Sequence, residues 1–186
     1  MEEYGFVLDY LPEGRPTAPI KRMMEPLAYI IGKDEYRLFE VSVKKDVEIG
    51  EMTYIGKNIE KRENINRILR RISYDDLTGS AKSELPNVLE KIVMERESFF
   101  VNFFNNAGPI TTRFHMLELL PGLGKKIMWS ILEQRDKARF KSFEDIVERA
   151  GLKNPQRLIV KRIEVELSNR EEKYALFVKN EGFRSQ

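Results

Sequence analysis

The sequence predicts an α+β protein. A small N-terminal β-barrel covers residues 1–57, linking helices cover 58–110, and a helical C-terminal domain with one last strand covers 111–186. Three observations predict it. Short apolar and aromatic runs separated by turn residues crowd the first 57 positions. Apolar residues then recur at helical spacing. Finally, Leu119-Leu120-Pro121-Gly122-Leu123-Gly124-Lys125-Lys126 sets a glycine turn between two apolar-periodic segments.

The first strand is Tyr4-Gly5-Phe6-Val7-Leu8-Asp9-Tyr10-Leu11, stopped by Pro12-Glu13-Gly14. Arg15 to Pro26 holds three prolines and reads as a long loop. Leu27-Ala28-Tyr29-Ile30-Ile31 enters a hairpin turn at Gly32-Lys33-Asp34-Glu35, and Tyr36 to Val43 resumes the sheet. Val47 and Ile49 lie in a polar link before a final strand, Glu51 to Gly56. Strands this short cannot cover two faces of an open sheet, so a closed or half-closed barrel is the economical solution.

From Asn58, Ile59, Ile65, Ile68, Leu69 and Ile72 fall at helical spacing with arginines between them, ending near Tyr74 to Gly79. Ser80 to Leu85 reads as a short turn, and Pro86 suits the first turn of a longer helix running to the stop at Asn105–Pro109. Phe99, Phe100, Phe103 and Phe104 form its most apolar part. Paired aromatics at this spacing serve burial, and the alternatives are base stacking or a protein partner through the Phe99–Phe104 region.

Thr111 or Thr112 caps a short helix from Arg113 to Leu120. A second helix runs from Lys125 to about Gln134, followed by a basic link, Arg135 to Lys141. Ser142 caps a third helix that closes on Gly151, and Asn154-Pro155 opens a fourth. Tyr174 to Val178 reads as a strand, and the tail from Glu181 as frayed.

Composition bounds the function. The 186 residues are 41% hydrophobic and 33% charged, with no cysteine and one histidine, His115. Disulfides, cysteine-ligated metal and multi-histidine centres are thereby excluded. The N-terminus reads as neither signal nor anchor, no run suits a membrane span, and a cytoplasmic protein is expected. The net charge of +2 is uneven: residues 1–57 carry 8 basic and 11 acidic side chains, and residues 111–186 carry 16 and 11. The positive excess accompanies the glycine turn, where a polyanion partner needs it.

The turn itself has the chemistry of a phosphate grip. Gly122 and Gly124 have wide backbone freedom and no Cβ to hold a ligand away. The amides of Leu123, Gly124 and Lys125 are expected unpaired at a helix start, where the helix carries partial positive charge. Lys125 and Lys126 add full charges. Further candidate nucleic-acid contacts are Arg135, Lys137 and Arg139 in the basic link and Lys161 and Arg162 in the fourth helix.

The stretch Leu119 to Ile127, followed by Ile131-Leu132, resembles the helix-hairpin-helix consensus. Ser142-Phe143-Glu144-Asp145-Ile146 resembles the start of a tandem second unit, whose own turn departs from the pattern because Asn154 and Pro155 replace the second glycine. With Val47-Glu48-Ile49-Gly50-Glu51, the whole chain resembles an archaeal family of uncharacterised proteins joining an OB-like β-barrel to a helix-hairpin-helix domain. That resemblance implies RNA binding and a link to translation.

The expected function is therefore non-catalytic binding of nucleic acid, RNA favoured over DNA, with no cofactor and no metal. No nucleophile elbow, P-loop or dinucleotide fingerprint is present. The alternatives are a DNA-repair or recombination accessory, a metal-dependent nuclease using Asp75-Asp76 or Glu144-Asp145, and a protein-interaction module. Exposed tyrosines among Tyr4, Tyr29, Tyr36 and Tyr54, or Phe6 and Phe39, would supply stacking surfaces, with burial in the core as the other outcome.

Overall fold

A computed structural model describes residues 2–15, 25–169 and 171–179. Its described residues form two compact units, Met1–Val88 with Val165–Gln186, and Leu89–Glu164. Most of the proline-rich loop and the tail from Glu181 lie outside the described residues.

The first unit is built on a curled antiparallel sheet. Its strands are β1 (Tyr4–Leu11), β2 (Leu27–Gly32), β3 (Leu38–Val43), β4 (Met52–Tyr54) and β5 (Ile65–Ile72), in the order β4-β1-β2-β3-β5. All six residues of central β2 are buried, as in a strand covered on both faces. Val7, Ala28, Ile30, Val41, Val43, Val47, Ile55 and Ile65 form the core. Phe6, Tyr29 and Tyr36 are buried too, which removes them as stacking surfaces. No ladder joins β4 to β5 among the described residues, so both remain edges.

Strand β5 corrects the expectation of a helix from Asn58. After one 3-10 turn at Ile59–Lys61, residues 65–72 pair antiparallel with β3. The register sets Val43 against Ile65, Val41 against Ile68 and Leu38 against Ile72, with shifts at Glu40/Val41 and Ser42/Val43. Each bulge inserts one residue, stretching the period-2 alternation of a strand toward the three- and four-residue steps of a helix. The arginines between the isoleucines follow suit. Arg70 sits opposite Glu40, and its Nε donates to Glu40 Oε2 at 2.8 Å; Arg15 reaches the same buried carboxylate.

A 3-10 turn, Tyr74–Asp76, precedes α1 (Gly79–Glu95), which begins where Thr78 Oγ1 accepts the Ala81 amide at 3.0 Å. Pro86 lies inside α1, not at a helix start, so the Lys82 carbonyl loses its intrahelical donor. The uninterrupted burial of Ala81, Leu85, Val88, Leu89 and Ile92 outweighs that loss. The unit ends on a segment expected as a strand. Residues 174–178 form no strand; instead the amides of Leu176, Phe177 and Val178 donate to the buried Glu166 carboxylate at 2.7, 2.9 and 2.8 Å. A side chain does the work of a neighbouring strand.

The second unit holds α2 (Glu97–Asn106), a two-stranded ribbon of β6 (Pro109–Thr111) and β7 (Phe114–His115), then α3 (Lys125–Lys137), α4 (Phe143–Ala150) and α5 (Pro155–Ser168), whose last residues pass into the first unit. Phe100 and Phe104 are fully buried, as the core reading of the phenylalanine cluster expects, whereas Phe99 is half exposed beneath the Arg96 guanidinium. Among the described residues no helix is long and apolar enough to cross a membrane.

Candidate nucleic-acid interface

The segment before the glycine turn is not the expected α-helix. Thr111 closes β6, and the only helical piece is a 3-10 turn, Met116–Leu119. Its cap is His115, whose Nδ1 accepts the Leu117 amide at 3.1 Å while Glu118 Oε1 accepts the His115 amide at 2.9 Å. A Thr-capped helix was expected because Phe114, Leu117 and Leu120 share helical spacing; the β6–β7 ribbon takes Phe114 instead.

This cap titrates. Burial, and secondarily the charge of Arg135, holds the His115 imidazole below its ordinary value of 6.5, with Glu118 opposing. A depressed folded pKa means the contribution to stability is present above 6.5 and is lost as pH falls through the folded value. Protonating Nδ1 also removes the lone pair that caps the turn. We expect the denaturation midpoint to drop on acidification below 6.5, and the drop to shrink in His115→Asn, which keeps an acceptor. Identical pH profiles for the two proteins would remove His115 from the account.

The turn that follows is open. Leu120 and Leu123 are buried and pin it, and the Leu123 amide donates to the Leu120 carbonyl at 3.1 Å. That bond takes Leu123 out of the set of free amides expected from sequence. Gly122 has φ 90, where a Cβ is strained. Gly124 does not: as N-cap of α3 it has φ −77 and ψ 157, ordinary extended backbone. The value of this glycine is space, since a Cβ at Gly122 or Gly124 would meet nothing within 4 Å. No side chain caps α3, and its first backbone bond is Met128 N to Gly124 O at 3.0 Å. The amides of Gly124, Lys125 and Lys126 therefore face outward with no intrahelical acceptor.

Lys125 and Lys126 are exposed and form no ion pair among the described residues. One turn on, at i+4 and i+3 from them, stands Trp129, the only tryptophan, 64% exposed. Sequence reading missed it. A tryptophan between Met128 and Ile131 looks like core, and its exposure follows from Met128 and Ile131 occupying the inward face of α3.

The other candidates divide. Arg135 belongs to α3 and not to a link; its Nη1 donates to the carbonyls of Phe104 and Ala107 at 3.0 and 2.7 Å, closing the end of α2. Arg162 is 4% exposed and reaches the Leu119 carbonyl at 3.4 Å, so it supports the segment leading into the turn and offers no charge to solvent. Lys137 is paired with Glu133 at 2.7 Å. Arg139 and Lys161 are exposed, and among the described residues the Arg139 guanidinium holds the neutral oxygens of Asn102 and Asn106.

The second turn lacks the first one's donors. Ser142 Oγ caps α4 at the Asp145 amide, and Gly151 closes it in the left-handed region at φ 72. Asn154 has φ 50, and Pro155 opens α5 without an N–H to offer. One acid of each pair is also engaged. Asp76 accepts the Ser73 amide and hydroxyl, and Asp145 accepts the Lys141 amide and faces Arg149 at 3.1 Å. Among the described residues no three acids or histidines gather to hold a metal ion.

Comparison with known proteins shows the family to which the chain belongs. The family model "Protein of unknown function (DUF655)" matches residues 1–179. The chain belongs to the DUF655 family. An uncharacterised protein of Methanocaldococcus jannaschii is 49% identical over 181 residues, covering 96% of this chain and 80% of that one. A crystal structure of a DUF655 protein from Archaeoglobus fulgidus superposes with a TM-score of 0.88 at 47% identity, covering 96% of this chain and all of that one. The expected kinship with uncharacterised archaeal proteins thus holds at the level of the DUF655 family.

Proposed function

We propose that this DUF655 protein is a non-catalytic nucleic-acid-binding protein that grips phosphate backbone at Gly122–Lys126, RNA in preference to DNA. One observation carries the reading. The 13-residue helix α3 starts on an exposed, uncapped glycine turn with two lysines that form no ion pair among the described residues, so backbone donors and full charges converge on open space. In this reading the turn is the working hairpin of a helix-hairpin-helix, and the proline-blocked turn at Asn154-Pro155 is its structural twin. The sheet unit is read as the OB-like partner, and a role in translation follows the resemblance already described.

The preference for RNA rests on the neighbouring aromatic surface. Trp129 offers an indole face to an unpaired base, which structured RNA presents and a closed DNA duplex does not. Contacts to the backbone alone would carry little sequence preference.

The test is a competition at equal salt between a structured RNA with unpaired loops and a DNA duplex of the same length, read by the emission of Trp129. RNA is expected to quench the indole and to displace the duplex. Equal or tighter duplex binding removes the RNA preference, and failure to bind either removes the function.

A further inference from the structure

The edge of the sheet in the first unit carries a concavity of its own. A groove of about 440 Å³ lies over Tyr4, Met52 and Tyr54, walled by the segment that holds Lys61, Glu63 and Asn64. Tyr4 and Met52 are 42% and 46% exposed, although both belong to strands of a closely packed sheet. The Tyr4 and Tyr54 rings meet edge to face at 5.3 Å, and the Lys61 ammonium stands 6.0 Å from the Tyr54 ring centre.

The wall is preformed. Arg62 turns inward, and its Nε donates to the Gly56 carbonyl at 2.9 Å, while Lys44 Nζ donates to the Arg62 carbonyl at 2.9 Å. Asn58 caps the 3-10 turn through the Glu60 amide at 3.1 Å. Gly56 makes room for the floor: a Cβ there would lie 2.3 Å from the Tyr54 hydroxyl. Asn64 Nδ2 donates to Glu51 Oε1 at 2.6 Å, and Glu51 Oε2 accepts the Glu48 amide at 3.0 Å. This fixes the Asn64 amide with its carbonyl oxygen still able to accept.

We infer that this groove is a nucleotide-binding site, taking one base against Tyr54 and Met52 with its phosphate on Lys61. The chemistry selects that ligand class. The Tyr54 ring and the Met52 thioether give a polarisable surface for a base, with the Tyr4 ring set edge to face beside it. Lys61 is exposed and forms no ion pair among the described residues, so its charge is available to one phosphate. The carboxylates of Glu51 and Glu63 repel the two close-set phosphate rows of a duplex, which sets the groove against a duplex backbone and in favour of one unpaired nucleotide. The fixed Asn64 oxygen accepts from an exocyclic amino group, favouring adenine or cytosine over uracil. The site stands on side chains of the sheet unit and does not depend on the glycine turn.

The source is a free mononucleotide or an unpaired residue of an RNA strand, and the test separates them. The intact protein, carrying ¹³C-methyl methionine, is titrated with AMP, UMP, ribose 5-phosphate and a short oligo(A), with the Met52 signal assigned by Met52→Leu. A base over the thioether shifts the Met52 methyl by its ring current. We expect AMP to do so more strongly than UMP, and ribose 5-phosphate not at all. Lys61→Ala, a change at an exposed side chain, is expected to weaken binding about five- to tenfold. Gly124→Val should leave the AMP titration unchanged, which keeps this site distinct from the phosphate grip. A shift with oligo(A) alone assigns the groove to a strand, and a shift with AMP alone to a free nucleotide. No Met52 shift with any base-bearing probe overturns the proposal. So does an equal shift with ribose 5-phosphate, unaltered affinity in Lys61→Ala, or a Met52 shift that follows protein concentration without ligand.

Discussion

Replacing Gly124, the N-cap of α3, with valine is expected to reduce RNA affinity roughly ten- to a hundredfold while lowering folding stability by no more than about 1 kcal/mol. The backbone at Gly124, φ −77 and ψ 157, is one that a β-branched residue adopts readily. A Cβ there meets nothing within 4 Å, so the fold accommodates the side chain. The space it fills is the space a phosphate needs to reach the amides at the start of α3. Hydrogen bonds to a charged partner are worth about 1.5–3 kcal/mol each, and losing one gives about the stated factor. Gly122→Ala is the contrasting variant: at φ 90 a Cβ costs about 1–2 kcal/mol of stability whatever is bound. Binding isotherms beside denaturation curves for both variants check this. Native RNA affinity in Gly124→Val would move the contact elsewhere.

Glu166→Ala is expected to destabilise the protein by about 3 kcal/mol or more. The carboxylate is 1% exposed and accepts three consecutive amides, from Leu176, Phe177 and Val178. Removing it strands those donors around the buried Phe177 and Val178 side chains, and each unsatisfied amide costs about 1–3 kcal/mol. Both carboxylate oxygens are used, so Glu166→Gln turns an NH2 group toward at least one donor and is damaging as well. Denaturant unfolding and limited proteolysis of residues 171–179 measure the effect. A loss below about 1 kcal/mol would mean that water or another group satisfies these amides.

The strands β1 to β3 and the caps of α4 were legible because local chemistry decides them: turn residues at Gly32–Glu35, a serine cap at Ser142, a left-handed glycine at Gly151. Strand β5 was not, because two bulges gave its isoleucines helical spacing, and only pairing with β3 shows which period is real. Pro86 was misplaced because burial along α1 outweighs a local penalty. Residues 174–178 have strand composition but take their hydrogen bonds from one distant carboxylate, which no local pattern records. At the candidate interface, the glycines and Lys125-Lys126 were readable as a turn with charges. The inward roles of Arg135 and Arg162 were not, since a charge in a sequence carries no direction. Nor was the exposure of Trp129, which depends on which face of α3 its neighbours fill.

The most direct measurement of the central claim is the affinity of the native protein for a structured RNA across a series of salt concentrations. A phosphate grip built on Lys125 and Lys126 predicts a linear fall of log affinity with log salt. Its slope should be roughly 1.4 to 1.8 in magnitude, at about 0.7–0.9 for each phosphate neutralised. The slope should flatten when both lysines are replaced by alanine. Affinity that does not change with salt, or a slope that survives the double replacement, would contradict the claim that this turn holds the backbone.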